Sequence, residues 1–377
     1  MTDPVYLDHN ATTPVRPEAA AALAAAMAAT GNPSSVHGFG RAAREAVEAA
    51  RDDVAALVGA RAGDVVFTGG GTESNALALA GCGRRRVLAS AVEHPSVLAA
   101  ADELIPVDGD GVVDLAALDR LLDGRGADTV VSAMLANNET GVLQPVARVA
   151  EVARRHGALV HCDAVQAAGK VAVDMAALGA DLLTLSAHKL GGPMGAGALV
   201  LAPGTDLAPL LRGGGQERGR RAGTENLPGI AAFATAARVA RRELETFAGL
   251  ARLRDRLERR LRAAAPAARV FGAAAPRLPN TTCVAMPGVP GATQVMALDL
   301  AGYAVSAGAA CSSGKVAPSH VLAAMGADPA DADGAIRVSL GWTTKESDVD
   351  GFAATWAALY GRLGHGAGAA LKTAPAA

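Results

Sequence analysis

Aromatic residues make up only 3% of this 377-residue chain. That argues for closely packed helices against a sheet rather than for an aromatic binding platform. Charge of one sign is also missing. The formal net charge is -2, so no strong field draws nucleic acid or an acidic membrane. The four cysteines, Cys82, Cys162, Cys283 and Cys311, are far apart and form no CxxC pair. Neither a zinc site nor a disulfide framework is expected from them. No apolar run reaches the roughly 20 residues that span a bilayer. The amino terminus lacks a basic stretch followed by an apolar one, so no secretory signal is expected. The default is a cytoplasmic protein with reduced thiols. Lysine is scarce beside arginine, which makes Lys170, Lys189, Lys315, Lys345 and Lys372 each worth inspection.

What is present is material for a large core. Hydrophobic residues are 50% of the chain, charged residues 19%, and glycine is abundant at 44. The length suggests two domains, or one large domain with an appendage. Strand-like and helix-like stretches alternate from about residue 64 to residue 202. That pattern argues for an α/β fold with a mostly parallel sheet covered on both faces. Near Thr224 the rhythm changes. Residues 227 to about 265 read as one long helical tract, arginine and glutamate on one side and alanine and leucine on the other. Beyond Pro266 the pattern becomes α+β, so a domain boundary is expected within that long helix. Residues 5–14 read as a polar loop.

Polar residues cluster where the expected strands stop, the edge at which ligands sit in open α/β sheets. In the stretch 182–195, LLTLSAHKLGGPMG, an apolar run ends in Ser186, His188 and Lys189 before a glycine-rich turn. Burying an unpaired ammonium is costly. A lysine in such a place suits an amine nucleophile that forms a Schiff base, although snorkelling to solvent is the plainer reading. GGGTESN at 69–75 lies between a strand and a helix, where backbone N–H groups and a positive dipole end suit a phosphate. In the plainer reading Thr72 simply caps the helix. His94, in EHPS, can stack on a planar ring and move protons. NNETG at 137–141 offers amides to a carboxylate or ring oxygen. HCDAVQ at 161–166 places Asp163 at a strand end that calls for a cationic partner, with Gln166 three residues on. Cys162 lies within that strand and reads as a small core residue. One cofactor accommodates all five clusters. Pyridoxal 5'-phosphate needs a lysine for its aldehyde, an acid for its ring nitrogen, a phosphate cup and a stacking group.

Taken together, the ordered motifs resemble one family across nearly the whole chain. They are YLDHNATTP (6–14), GGTESN (70–75), EHPSV (93–97), NNETG (137–141), HCDAVQ (161–166), SAHKLGGPMG (186–195), GGGQERGRRAGTEN (213–226), the segment around Cys311, and IRVSLG (336–341). The chain resembles the class V, fold-type-I pyridoxal phosphate enzymes, and within them the cysteine desulfurases of the nitrogen-fixation (NifS) and iron–sulfur-assembly (IscS) type. The resemblance implies a large cofactor-binding domain over 14–250 with a mostly parallel seven-stranded sheet. A smaller α+β domain would be formed by 1–13 and 251–363, followed by a flexible tail over 364–377.

The resemblance also implies roles. Lys189 would hold the cofactor covalently and shuttle the substrate α-proton. His94 would stack on the ring and assist acid–base steps. Asp163 would pair with the ring nitrogen and Gln166 with the ring hydroxyl, while Gly71, Thr72, Ser186 and His188 would hold the phosphate. Thr224 would reach the phosphate of a partner subunit, making a homodimer with composite sites. Arg337, with Asn138 and Asn10, would clamp the carboxylate of L-cysteine. Cys311 would take the substrate sulfur as a persulfide, leaving L-alanine, and pass it to an acceptor or iron–sulfur scaffold protein. No intrinsic metal is implied, though Cys311 could hold an iron–sulfur cluster transiently. Ala310 stands where the family usually has serine, Met194 where lysine is frequent, and residues 223–226 look more like the nitrogen-fixation branch. Other readings stay open: a selenocysteine lyase, a class V aminotransferase, or a non-catalytic sulfur-relay scaffold.

Overall fold

The structure is a computed structural model that describes residues 4–307 and 318–364. Cys311 and the tail beyond residue 364 lie outside the described residues. Val5–Tyr6 forms a short strand, β1, followed by helices Pro17–Ala28 (α1) and Gly38–Leu57 (α2). In α2 the buried residues Ala43, Val47, Ala50, Val54 and Leu57 recur at helical spacing and face the core.

Seven strands then build the main sheet: Val65–Thr68 (β2), Arg86–Ser90 (β3), Glu103–Ile105 (β4), Thr129–Ser132 (β5), Leu159–Asp163 (β6), Leu182–Ser186 (β7) and Gly197–Leu201 (β8). Their order is β2-β8-β7-β6-β5-β3-β4. Only β8 runs against its neighbours, β2 and β7, and the remaining pairs are parallel. Every residue of β7 is buried, as expected for a strand covered on both faces. The seven-stranded, mostly parallel α/β sheet expected from the sequence is therefore present. Gly71–Gly81 (α3) follows β2 and packs over β7 and β8. Pro95–Leu98 (α4) follows β3. Leu115–Leu122 (α5), Val146–Arg155 (α6) and Met175–Leu178 (α7) complete this part.

The long helical tract is not one helix. It is divided into Leu227–Arg242 (α8), Leu244–Ala248 (α9) and Leu250–Ala264 (α10). One tract has to serve two cores. The Ala-rich face of α8 packs on α1 and α2, whereas α10 packs on the carboxy-terminal helix. Gly249, of low helix propensity, occupies the joint between α9 and α10.

The second core surrounds a four-stranded antiparallel sheet made from Arg269–Val270 (β9), Thr281–Ala285 (β10), Ser306–Ala307 (β12) and Ala335–Ser339 (β13). Gly291–Leu300 (α11) and Glu346–Leu363 (α14) cover it, with Phe352 and Trp356 fully buried. His320–Ala324 (α12) and Pro329–Asp333 (α13) precede β13. Neither β9 nor α13 was expected from the sequence. Nor was β1, which pairs in parallel with Tyr303–Ala304 (β11) in what had read as a loop. After β1 the chain crosses from one core to the other. His9 N donates to Ser339 O of β13, and Thr13 N donates to His188 O beyond β7. The segment between them lies across the site described next.

Candidate active site

The carboxy-terminal ends of β2, β3, β5, β6 and β7 converge on a cavity of about 310 Å³. Its lining includes Asn10, Gly71, Thr72, His94, Asn138, Asp163, Gln166, Ser186, His188, Lys189 and Arg337. Of the described residues to which the resemblance assigns a site role, all but Thr224 line this cavity. Thr224 is exposed, at the end of the 213–226 segment.

Lys189 follows β7 directly. Its Nζ donates to the backbone oxygens of Asn10 at 2.6 Å and Ala11 at 2.7 Å, so the crossing segment fixes the amine. Asp163, the last residue of β6, is buried at the cavity floor. Its Oδ2 accepts from Asn75 Nδ2 at 2.8 Å and its Oδ1 from Val165 N at 3.0 Å. Asn75 belongs to GGTESN but carried no role in the sequence reading. Its place on α3, one turn in from the helix start, is the signal that could have found it.

His94 caps α4. Its Nδ1 accepts from Ser96 N at 3.1 Å and lies 2.7 Å from Ser96 Oγ, which leaves Nε2 for the cavity side. Burial pulls the His94 pKa below the ordinary value; Asp163 opposes this, and Lys189 and His320 add to it. Next to it, Glu93 is fully buried. Burial and then Asp163 push its carboxyl well above the usual range. His188 Nδ1 lies 3.2 Å from Thr12 Oγ1, and burial, Lys189 and Lys170 bring its pKa down to about 4.

The turn from β2 into α3 supplies a helix N-terminus suited to an anion. The helix starts at Gly71, with Gly70 in the N-cap place, so Thr72 is within the first turn and does not cap it. Gly70 has φ of 149°, a conformation that side chains rarely adopt. Gly197 of β8 lets the turn approach closely, because a Cβ there would come within 2.6 Å of Gly70 Cα. The first N–H groups of α3 lack partners within the helix, and they open toward Ser186 and His188.

On the far side Arg337 of β13 is buried. Nη2 pairs with Asp8 Oδ1 at 2.6 Å and Nη1 donates to Asn138 O at 3.0 Å. Its Nε is buried without a hydrogen-bond partner among the described residues. Asn10, expected to help clamp a carboxylate, has its side chain otherwise engaged. Oδ1 accepts from Lys170 and Asn280, and Nδ2 donates to Thr281 Oγ1 and Asn138 O. Its contribution to the site is the backbone oxygen that holds Lys189.

Both flanks of the segment that carries Cys311 are tied to this site. Ser306, before it, donates to Asp8 Oδ2 at 2.7 Å and accepts from Arg337 Nη2 at 3.2 Å. After it, Ser319 donates to Glu139 Oε2 at 2.6 Å and His320 Nε2 to Glu93 O at 2.9 Å. Cys311 itself lies outside the described residues. The three described cysteines are all buried. Burial raises each thiol pKa, with Asp163 and Glu93 adding to the effect at Cys162 and Glu139 at Cys283. None of these three suits a thiolate nucleophile.

The 213–226 segment is pinned by a buried ion pair. Arg51 Nη1 meets Glu217 Oε2 at 2.7 Å, with both side chains almost wholly buried. Glu217 also accepts from Phe67 N at 2.9 Å. Glu217 and Arg218 have φ of 47° and 58°, a strained region for residues other than glycine.

Fold and site together define an α/β enzyme of the fold-type-I class, with a lysine, an acid and a glycine-rich helix N-terminus at adjoining strand ends. The class-V aminotransferase family model matches residues 5–352, and the chain belongs to that family, on its cysteine desulfurase branch. A cysteine desulfurase of Cereibacter sphaeroides is 49% identical over 92% of this chain and 93% of its own. One of Klebsiella pneumoniae is 42% identical over 95% of this chain and 93% of its own. The solved NifS-like protein from Rickettsia africae is 33% identical and superposes with a TM-score of 0.88, covering 95% of this chain and 99% of its own.

Proposed function

We propose that this enzyme converts L-cysteine to L-alanine with pyridoxal 5'-phosphate held at Lys189, and collects the sulfur as a persulfide on Cys311. The observation that carries this reading is the single cavity that gathers Lys189, Asp163, His94 and Arg337. The residues suit the cofactor. A cation-seeking carboxylate sits at the floor, a helix N-terminus with Ser186 and His188 suits the phosphate, and Lys189 suits the aldehyde. A side chain at position 71 would crowd Val165 Cγ2 at 3.0 Å, so glycine keeps the cradle open.

When bound, the cofactor supplies an aldehyde for the lysine and an electron-withdrawing ring for the substrate carbon. The chain's own groups do the rest. Arg337 Nε, with the Asn138 amide, would bind the substrate carboxylate. Lys189 Nζ would hold and return the α-proton. Asp163, fixed by Asn75, would keep a proton on the ring nitrogen, and Gln166 would donate to the ring oxygen. His94 would stack and relay protons. Thr72, Ser186 and His188 would hold the phosphate, with Thr224 reaching the partner's phosphate in a homodimer. The Cys311 thiolate would form an S–S bond as the substrate C–S bond breaks, and the carbon would gain a proton to become the alanine methyl group. This balances one cysteine and one thiol against one alanine and one persulfide. The sulfur would then pass to an acceptor or iron–sulfur scaffold protein in the cytoplasm. We infer a division into a domain over 14–250 and a second over 1–13 with 251–363, which the presence of two separate cores supports.

The test is to load the protein with pyridoxal phosphate, reduce with borohydride, and map the modified residue while assaying alanine released from cysteine. Cofactor on Lys189 together with alanine supports the reading. A protein that takes up no cofactor overturns it. Turnover of selenocysteine with none of cysteine would move the reading to a selenocysteine lyase.

A further inference from the structure

Lys170 is 3% exposed, and its ammonium has no carboxylate within ion-pair distance among the described residues. Nζ instead donates to two amide oxygens, Gln166 Oε1 at 2.7 Å and Asn10 Oδ1 at 2.8 Å. Leaving an ammonium in such a place is costly, and neutral acceptors offset that cost only in part. Lys170 adjoins the site on two counts. Asn10 Oδ1 receives Lys170, and Asn10 O receives Lys189 Nζ at 2.6 Å. Gln166 Nε2 donates to that same backbone oxygen at 2.8 Å. Lys170 and Lys189 also line a second, smaller cavity together with His9 and Asn280.

The hydrogen-bond chemistry allows one arrangement. An ammonium only donates, so protonated Lys170 fixes Gln166 with Oε1 toward it. A flipped amide would set donor against donor and lose the bond to Asn10 O as well. Nε2 is thereby held on the side of Lys189. We propose that Lys170 is a positioning residue that acts through Gln166, locking its amide so that a donor, not an acceptor, meets the cofactor's ring oxygen. This rests on the reading of Lys189 as the cofactor lysine. Burial, then Lys189 and Arg337, bring the Lys170 pKa well below the ordinary ammonium range. Lys170 in turn helps to depress His9 and His188. Lys189, Arg337, His9 and His188 are thus the charged and titratable groups that face it.

The test uses the full-length protein loaded with pyridoxal phosphate, comparing Lys170→Met, Gln166→Ala and the double variant. Lys170→Met should still take up cofactor and lose about 10-fold in kcat with KM for cysteine little changed, the scale of one well-made hydrogen bond. The pH midpoint of the bound cofactor's absorbance should shift, which loss of packing alone would not cause. On the Gln166→Ala background the Lys170→Met change should add nothing. Lys170→Gln, which keeps an N–H donor group, should recover part of the loss; if Lys170→Met does not fold, Lys170→Gln with and without Gln166→Ala reads the same comparison. An unshifted midpoint, or losses that multiply in the double variant, overturns the proposal. Absence of cofactor uptake by the wild type would instead overturn the reading of Lys189.

Discussion

Lys189 Nζ donates to the backbone oxygen of Asn10 at 2.6 Å, so a residue of the crossing amino-terminal segment sets the position of the amine. The same Asn10 is fastened to the smaller core through Asn280 and Thr281. Movement of one core relative to the other would therefore be felt at Lys189.

Truncating Asn10 should disturb folding and cofactor placement more than recognition of cysteine. Asn10→Ala leaves Lys170 and Asn280 each short of an acceptor, at a cost of about 3 kcal/mol in stability. Urea unfolding should show that loss, while KM for cysteine should change by no more than about 2-fold. A large rise in KM with unchanged stability would return Asn10 to the carboxylate clamp.

Arg337 should behave in the opposite way. Arg337→Lys keeps a charge but loses the planar fork and the Nε donor. KM for cysteine should rise at least about 10-fold, the equivalent of one hydrogen bond to a charged group. Cofactor absorbance should persist. Unchanged KM would place the carboxylate elsewhere.

Glu217→Ala should destabilise the chain by about 3 kcal/mol, because it removes the buried partner of Arg51 and leaves that guanidinium only the more exposed Glu48 carboxylate at 3.2 Å. Equilibrium unfolding measures this. If Thr224 serves the partner's phosphate, the variant should also bind pyridoxal phosphate more weakly, since Glu217 pins the segment that leads to Thr224. Stability within about 0.5 kcal/mol of the wild type would show that the pair is not a structural anchor.

His161 predicts acid sensitivity. It is buried between Ser132 Oγ at 2.8 Å and Thr184 Oγ1 at 3.0 Å, and burial lowers its pKa from 6.5 to about 4 despite the opposing effect of Asp163. The native state keeps it neutral while the unfolded chain takes up a proton. Its contribution is thus constant above about pH 6.5 and falls away as the pH drops from there to about 4, by about 3 kcal/mol in all. His161→Gln should flatten the stability–pH curve in that window. An unaltered acid limb would count against the assignment.

Much of this was legible from residue order. The alternation of strands and helices gave the main sheet, because buried strands demand apolar runs and turns demand glycine. The described residues given a site role, Thr224 apart, do line one cavity. Less visible were features set by pairing across long distances. β1 and β9 are two residues each and carry too little pattern to be read alone. The division of the 227–265 tract depends on two cores that only the folded chain defines. Thr72 had a plainer reading as a cap, because threonine is a good one, yet the helix starts at Gly71 with Gly70 in the N-cap place. Lys170 stood out as a rare lysine but gained a role only when Gln166 and Asn10 were seen around it.

The most direct test of the central claim is a single turnover of sulfur-labelled L-cysteine on wild type and on Cys311→Ala, with alanine and protein-bound sulfur measured together. The account predicts alanine matched by label on Cys311 in the wild type, and neither sulfur transfer nor catalytic sulfide release in the variant. Alanine and sulfide released by Cys311→Ala at the wild-type rate, or label found on Cys82, Cys162 or Cys283, would contradict it.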